Sequence, residues 1–197
     1  MAYTVLGIYD AYSRAEVALH DLLSRGFPRH KLYLAPIEDT PAGRVAALRE
    51  LDQLDDQSTN RLTMPEFFRA LFGQDHNNRD IYLEAVRRGS YVLMANADND
   101  QEADQAMEIM ARHRPINVDE ISSRWRRQGW SGFDPAAAAM TEDEIERERS
   151  WYTEEKPTLP IQAVQGVPVK GEVAEPATPI PRNEAQRLGV RLFQRGF

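Results

Sequence analysis

The sequence predicts an α+β sandwich in which a strand–helix–strand pattern occurs twice. Residues 3–9 and 90–97 are nearly unbroken apolar runs, as strands in the middle of a sheet are. Each run is followed by a segment with apolar residues at helical spacing: Ala15, Ala18, Leu19, Leu22 and Leu23 after the first, Ala103, Ala106, Met107, Met110 and Ala111 after the second.

Taken in order, residues 3–9 form the first strand. Ser13 and Glu16 have the spacing of a capping box and open a helix that Gly26 ends, with Pro28 just beyond. Residues 31–36 give a second strand, short and flanked by Lys31 and Pro36, which suits a sheet edge. The pattern then weakens to a surface helix over 44–54 and an Asp-rich connector. Thr63 and Glu66 open a short helix with Met64, Phe67, Phe68, Leu71 and Phe72 on one face and Gly73 as terminator. A further helix over 79–88 groups Tyr82, Ala85 and Val86 before Gly89 closes it.

After the third strand, Asp98, Asn99 and Asp100 offer N-caps for the next helix, which stops before Pro115. Residues 116–121 alternate apolar and polar and read as a fourth strand with one wet face. With the first and third strands apolar and the others mixed, a split β-α-β sheet ordered 4-1-3-2 places the apolar pair centrally. That is the ferredoxin-like layout, with a helical insertion between strands 2 and 3. It accounts for residues 1–133.

Residues 134–197 change character. An alanine run leads to a charged helix over 142–151 capped by Thr141, then to a proline-rich stretch expected to be extended or disordered. The helix has too few apolar positions for a core element and reads as solvated or as an arm folding onto a neighbour. Residues 188–193 are apolar enough to dock as a strand or helix turn, on the domain or on a partner.

Composition narrows the chemistry. The absence of cysteine excludes disulfides, thiol nucleophiles, thiolate zinc sites and iron–sulfur clusters. A net charge of -7 disfavours nucleic acid and anionic membranes as partners, and no apolar run has the length of a membrane helix. The expected setting is cytoplasmic.

Several separated motifs carry a family resemblance. They are Val5-Leu-Gly-Ile-Tyr-Asp10, Ala15-Glu16, Gly26-Phe-Pro28, Phe67-Phe68 with Leu71-Phe-Gly73, and Tyr82-Leu-Glu-Ala-Val-Arg-Arg-Gly89 with Tyr91-Val92. Val118-Asp119 then leads into Trp125-Arg126 and Gly129-Trp130. Together they make residues 3 to about 130 resemble the YflT-like domain of bacterial general stress proteins, a heat-induced family. The resemblance implies a small α/β domain linked to stress survival, with no established chemistry and no catalytic residue to carry over. Leu159-Pro-Ile161 and Gly189-Val-Arg-Leu192 echo the start and end of a second stress-associated module, with a middle too short and too rich in proline.

Other constellations have structural explanations. Arg88-Gly89-Ser90-Tyr91-Val92 resembles the aromatic strand of an RNA-reading fold but lacks the second aromatic, and the chain is acidic. Asp98 to Glu102 begins like a calcium loop, yet Ala103 and Ile109 stand where glycine and glutamate are needed, so helix capping explains the acids. His20, His30, His76 and His113 are scattered, without metal-ligand spacing. The apolar face of the 63–73 segment has only Arg69 as a base, which favours packing over membrane binding.

No catalytic residue, cofactor or metal site is expected. The candidate partner-binding residues are Trp125, Arg126, Trp130, Phe133 and Trp151, interleaved with Arg124 and Arg127, because Trp and Arg are favoured anchors of protein interfaces. The alternative, that these tryptophans seal the end of the sheet, stays open. The expected function is a non-enzymatic stress-response protein that binds a protein partner or self-associates as a homo-oligomer, with the C-terminal arm contributing. A small-molecule or nucleotide-sensing module, its unknown ligand held on an open sheet face, is the second reading.

Overall fold

Four antiparallel strands form one open sheet in the order β2-β3-β1-β4, with helices on both faces. The computed structural model describes residues 1–36, 43, 76–134, 136–138, 140–154 and 180–194. The expected helices over 44–54 and 63–73, and the proline-rich stretch up to residue 179, lie outside them.

The chain enters through β1 (Tyr3–Tyr9), α1 (Tyr12–Ser24), a 3-10 turn (Arg29–Lys31) and β2 (Leu32–Ala35). It continues through α2 (His76–Arg87), β3 (Tyr91–Ala97), α3 (Asp100–Arg112) and α4 (Val118–Arg127). It closes with α5 (Glu142–Glu154), α6 (Arg182–Arg187) and β4 (Arg191–Gln194). β1 and β3 are central, paired so that Val5 faces Ala95 and Ile8 faces Val92. β2 pairs with the outer side of β3 and β4 with the outer side of β1.

The two apolar runs are explained by a sheet buried on both sides, since successive side chains point to opposite faces. Tyr3, Val5, Tyr9, Tyr91, Leu93 and Ala95 pack with Leu22 of α1 and Met107 and Met110 of α3. Leu6, Ile8, Val92 and Met94 pack on the other face with Ile81, Tyr82 and Val86 of α2 and Ile121 and Trp125 of α4. The face beneath α2 and α4 is therefore filled with apolar side chains at these positions.

The fourth strand corrects the sequence reading. Residues 116–121 do not form it; the place beside β1 belongs to Arg191–Gln194. Ile116 reaches β1 by one hydrogen bond, its N–H donating to the Ile8 carbonyl at 2.7 Å. Asn117 then caps α4, its side chain accepting from the Asp119 N–H. Ile-Asn-Val-Asp alternates over four residues, but Glu120 breaks the alternation, and Val118, Ile121, Ser122 and Trp125 continue at helical spacing and are all buried. Acids in the first turn and arginines in the last complement the helix dipole.

Packing also crosses the division expected at residue 133. Val190 and Ala185 belong to the core that α1 and α3 cover, and Leu192 packs against it. Arg191 pairs with Asp119, and the Asn117 amide donates to the Arg187 carbonyl at 3.1 Å. Residues 191–194 are thus an integral strand of the sheet.

A smaller correction concerns α1. It begins at Tyr12 with Ala11 as N-cap and no side-chain cap, so Ser13 lies inside the helix and forms no capping box. The caps at Asn99 and Thr141 are as the sequence predicts. Asn99 accepts from the Glu102 N–H at 2.9 Å, and Thr141 and Glu144 form a reciprocal box.

Candidate functional site on the face of α4 and α5

α5 follows from its charge pattern in an unexpected way. Ile145, Glu148 and Tyr152 recur at three- and four-residue spacing, and all three are buried. The helix is therefore not a solvated arm: it is docked on its own domain. Gly89, at φ +85, receives it, because a Cβ there would stand 2.5 Å from Cγ2 of Ile145.

Beneath the helix lies an ionic and aromatic cluster. Glu84 accepts from Arg87 at 2.6 and 2.8 Å and from Arg88 Nε at 2.6 Å. Oε1 of Glu148 accepts from the Trp125 indole N–H at 2.7 Å and the Tyr152 hydroxyl at 3.0 Å, and lies 3.5 Å from Arg88 Nη1. The Arg88 guanidinium sits 4.8 Å from the centre of the Trp125 ring. Two carboxylates and two arginines balance one another, which is the condition under which charges are tolerated inside a fold. Burial raises the Tyr152 pKa far above that of a free tyrosine, and the Glu148 charge adds to it, so the hydroxyl stays a donor. The hydrogen bonds that Arg87 donates to Glu84 hold its pKa above the ordinary value.

The expected partner-binding residues gather here but divide by exposure. Trp125 is 0% exposed and is enclosed by Arg88, Glu148 and Trp130, so it cannot be a partner contact. Trp130 meets it edge-on at 5.7 Å and is half-buried, with Arg126 5.8 Å from its ring centre. Phe133 is half-buried against the same core. Trp151 is 46% exposed, and the Arg124 guanidinium lies 4.2 Å from its ring centre. The tryptophans thus differ in place: Trp125 is buried in the core under the sheet, while Trp151 stands at the surface.

Sequence reasoning missed Glu84, Arg88 and Glu148 as a cluster. The i, i+3 and i+4 spacing of Glu84, Arg87 and Arg88 was a readable signal. Glu148 gave none, being one acid in a run of charges.

Among the described residues no group of three His, Asp or Glu side chains is placed to hold a metal ion, and no helix is long and apolar enough to cross a membrane. His20 and His30 are exposed, and His113 pairs with Asp21 at 2.7 Å. Comparison with known proteins returns no likeness. No family model, no curated protein and no solved structure matches the chain.

Proposed function

We propose that this chain is a non-enzymatic bacterial stress-response protein, cytoplasmic, that acts through protein contact at the surface formed by α4 and α5. The observation that carries the reading is Trp151, half in solvent with the Arg124 guanidinium 4.2 Å from its ring centre. Large aromatic and arginine side chains contribute most of the binding energy at protein interfaces. Burying a half-exposed indole whose cation neighbour is already oriented costs little side-chain entropy. The YflT-like resemblance supplies the link to stress, and its anchors Glu84 to Gly89 and Trp125 converge in the cluster under α5. The antiparallel pairing in the order β2-β3-β1-β4 supports a ferredoxin-like reading of the fold, its fourth strand supplied late in the chain.

The test is site-specific photo-crosslinking in heat-stressed cells, with the photoreactive residue at position 151 or at Val17. Val17 is equally exposed and lies on α1, in the other helical layer. Protein crosslinks from 151 and few from 17 are expected; equal yields would contradict the proposal.

One observation favours the sensing reading as second choice. Ser13, Arg14, Val17, Arg112, His113 and Arg114 line an open depression of about 340 Å³, where a phosphate or carboxylate would compete with Asp10, Glu108 and Asp21 for Arg14, Arg112 and His113. Titration calorimetry with inorganic phosphate tests it, and absence of heat would remove it.

A further inference from the structure

The face of α5 that points away from the domain is charge-complementary to itself, and we infer that the partner it fits is a second copy of this chain. The inference rests on the protein-contact reading above. Glu142, Asp143, Glu144 and Glu146 are all exposed along the first half of the helix. Exposed Arg147 and Trp151 follow in the second half, with Arg124 against the tryptophan and exposed Arg127 on the same last turn of α4. The helix dipole accounts for acids in the first turn. It does not account for an arginine-flanked tryptophan left half in solvent at the other end.

An antiparallel pairing of two α5 helices, with its two-fold axis between Glu146 and Arg147, resolves the pattern. Each Glu146 then stands opposite Arg147 of the second copy, twice over by symmetry. Asp143 of each copy, on the outward face, reaches toward the end where Trp151 and Arg124 lie. The buried side of α5 is unaffected, since Ile145, Glu148 and Tyr152 already face their own domain. A 13-residue helix is about 20 Å long. A contact of that length belongs at the small, reversible end of protein interfaces, and its charged pairs make it sensitive to salt.

Sedimentation equilibrium of the full chain tests this, for the native protein and two charge-reversed variants. Asp143→Arg with Glu146→Arg makes the first half basic, and Arg124→Glu with Arg147→Glu makes the second half acidic. The native chain is expected at twice the mass of one chain, shifting toward one as salt is raised. Each variant alone is expected at the mass of one chain, and an equal mixture of the two to return to twice that mass, which also shows that both are folded. A native chain at the mass of one chain throughout, or a native dimer that neither variant weakens, would overturn the inference. A monomer that still crosslinks to another protein from position 151 would overturn self-pairing and leave the protein-contact reading standing.

Discussion

Gly89 and Glu144 fix where α5 begins and how closely it sits. A left-handed backbone costs a residue with a Cβ about 1 to 2 kcal/mol. At Gly89 the added methyl also meets Ile145, so Gly89→Ala is expected to lose more than that. Urea unfolding checks it, and the drop in midpoint should come with a rise in proteolytic cleavage of α5. The Glu144 carboxylate accepts from the Thr141 backbone N–H and hydroxyl, which holds its pKa below the usual glutamate value. A depressed folded pKa means that its contribution is complete above the ordinary value of 4.5 and is lost as pH falls through the lower folded one. Carbon-detected NMR titration should find Glu144 titrating below the ordinary glutamate value, and Thr141→Ala, which removes the hydroxyl but keeps the backbone N–H, should reverse only part of that shift.

At the scale of the element, α5 is held mainly by what Glu148 accepts. Removing the carboxylate leaves the Trp125 indole and the Tyr152 hydroxyl without an acceptor in a buried setting, and Arg88 short of a counter-charge. Glu148→Ala is therefore expected to destabilise by about 3 kcal/mol. Glu148→Gln, which keeps a carbonyl acceptor, should lose less. Differential scanning calorimetry reads both, with Trp125 emission shifting to the red if the indole is wetted.

Legibility followed the same physics. The central strands, α1, α2 and α3 could be read because apolar period alone specifies them. α4 was misread because so short an alternation cannot separate period 2 from period 3.6, and Trp125 completes the helical pattern only at the seventh step. α5 was recognised as a charged helix capped by Thr141, but its docking could not be read. The residue that holds it, Glu148, is polar, and its partners lie far away in sequence. Trp151 and Trp125 looked alike in sequence, since only the fold decides which of two indoles is covered.

For the whole molecule, the decisive feature is that the sheet draws its outer strand from the far end of the chain. Residues 191–194 complete the edge of β1, and Gly189, at φ +108, lies so close to Ile116 that a Cβ would stand 2.4 Å from its carbonyl oxygen. A chain ended at residue 133 loses β4, α6 and the α5 cover over Trp125 together. It is expected to lose cooperative unfolding, checked by circular dichroism through a thermal ramp, while the full chain keeps a single transition.

The central claim is that the surface of α4 and α5 is a contact surface and that its buried tryptophan serves only the fold. Hydroxyl-radical footprinting of the three tryptophans, in dilute purified protein and in heat-stressed cells, tests both halves at once. The account predicts Trp125 protected in both conditions, and Trp151 oxidised in the dilute protein but protected in the cell. Equal oxidation of Trp151 in both, or ready oxidation of Trp125 in the dilute folded chain, would contradict it.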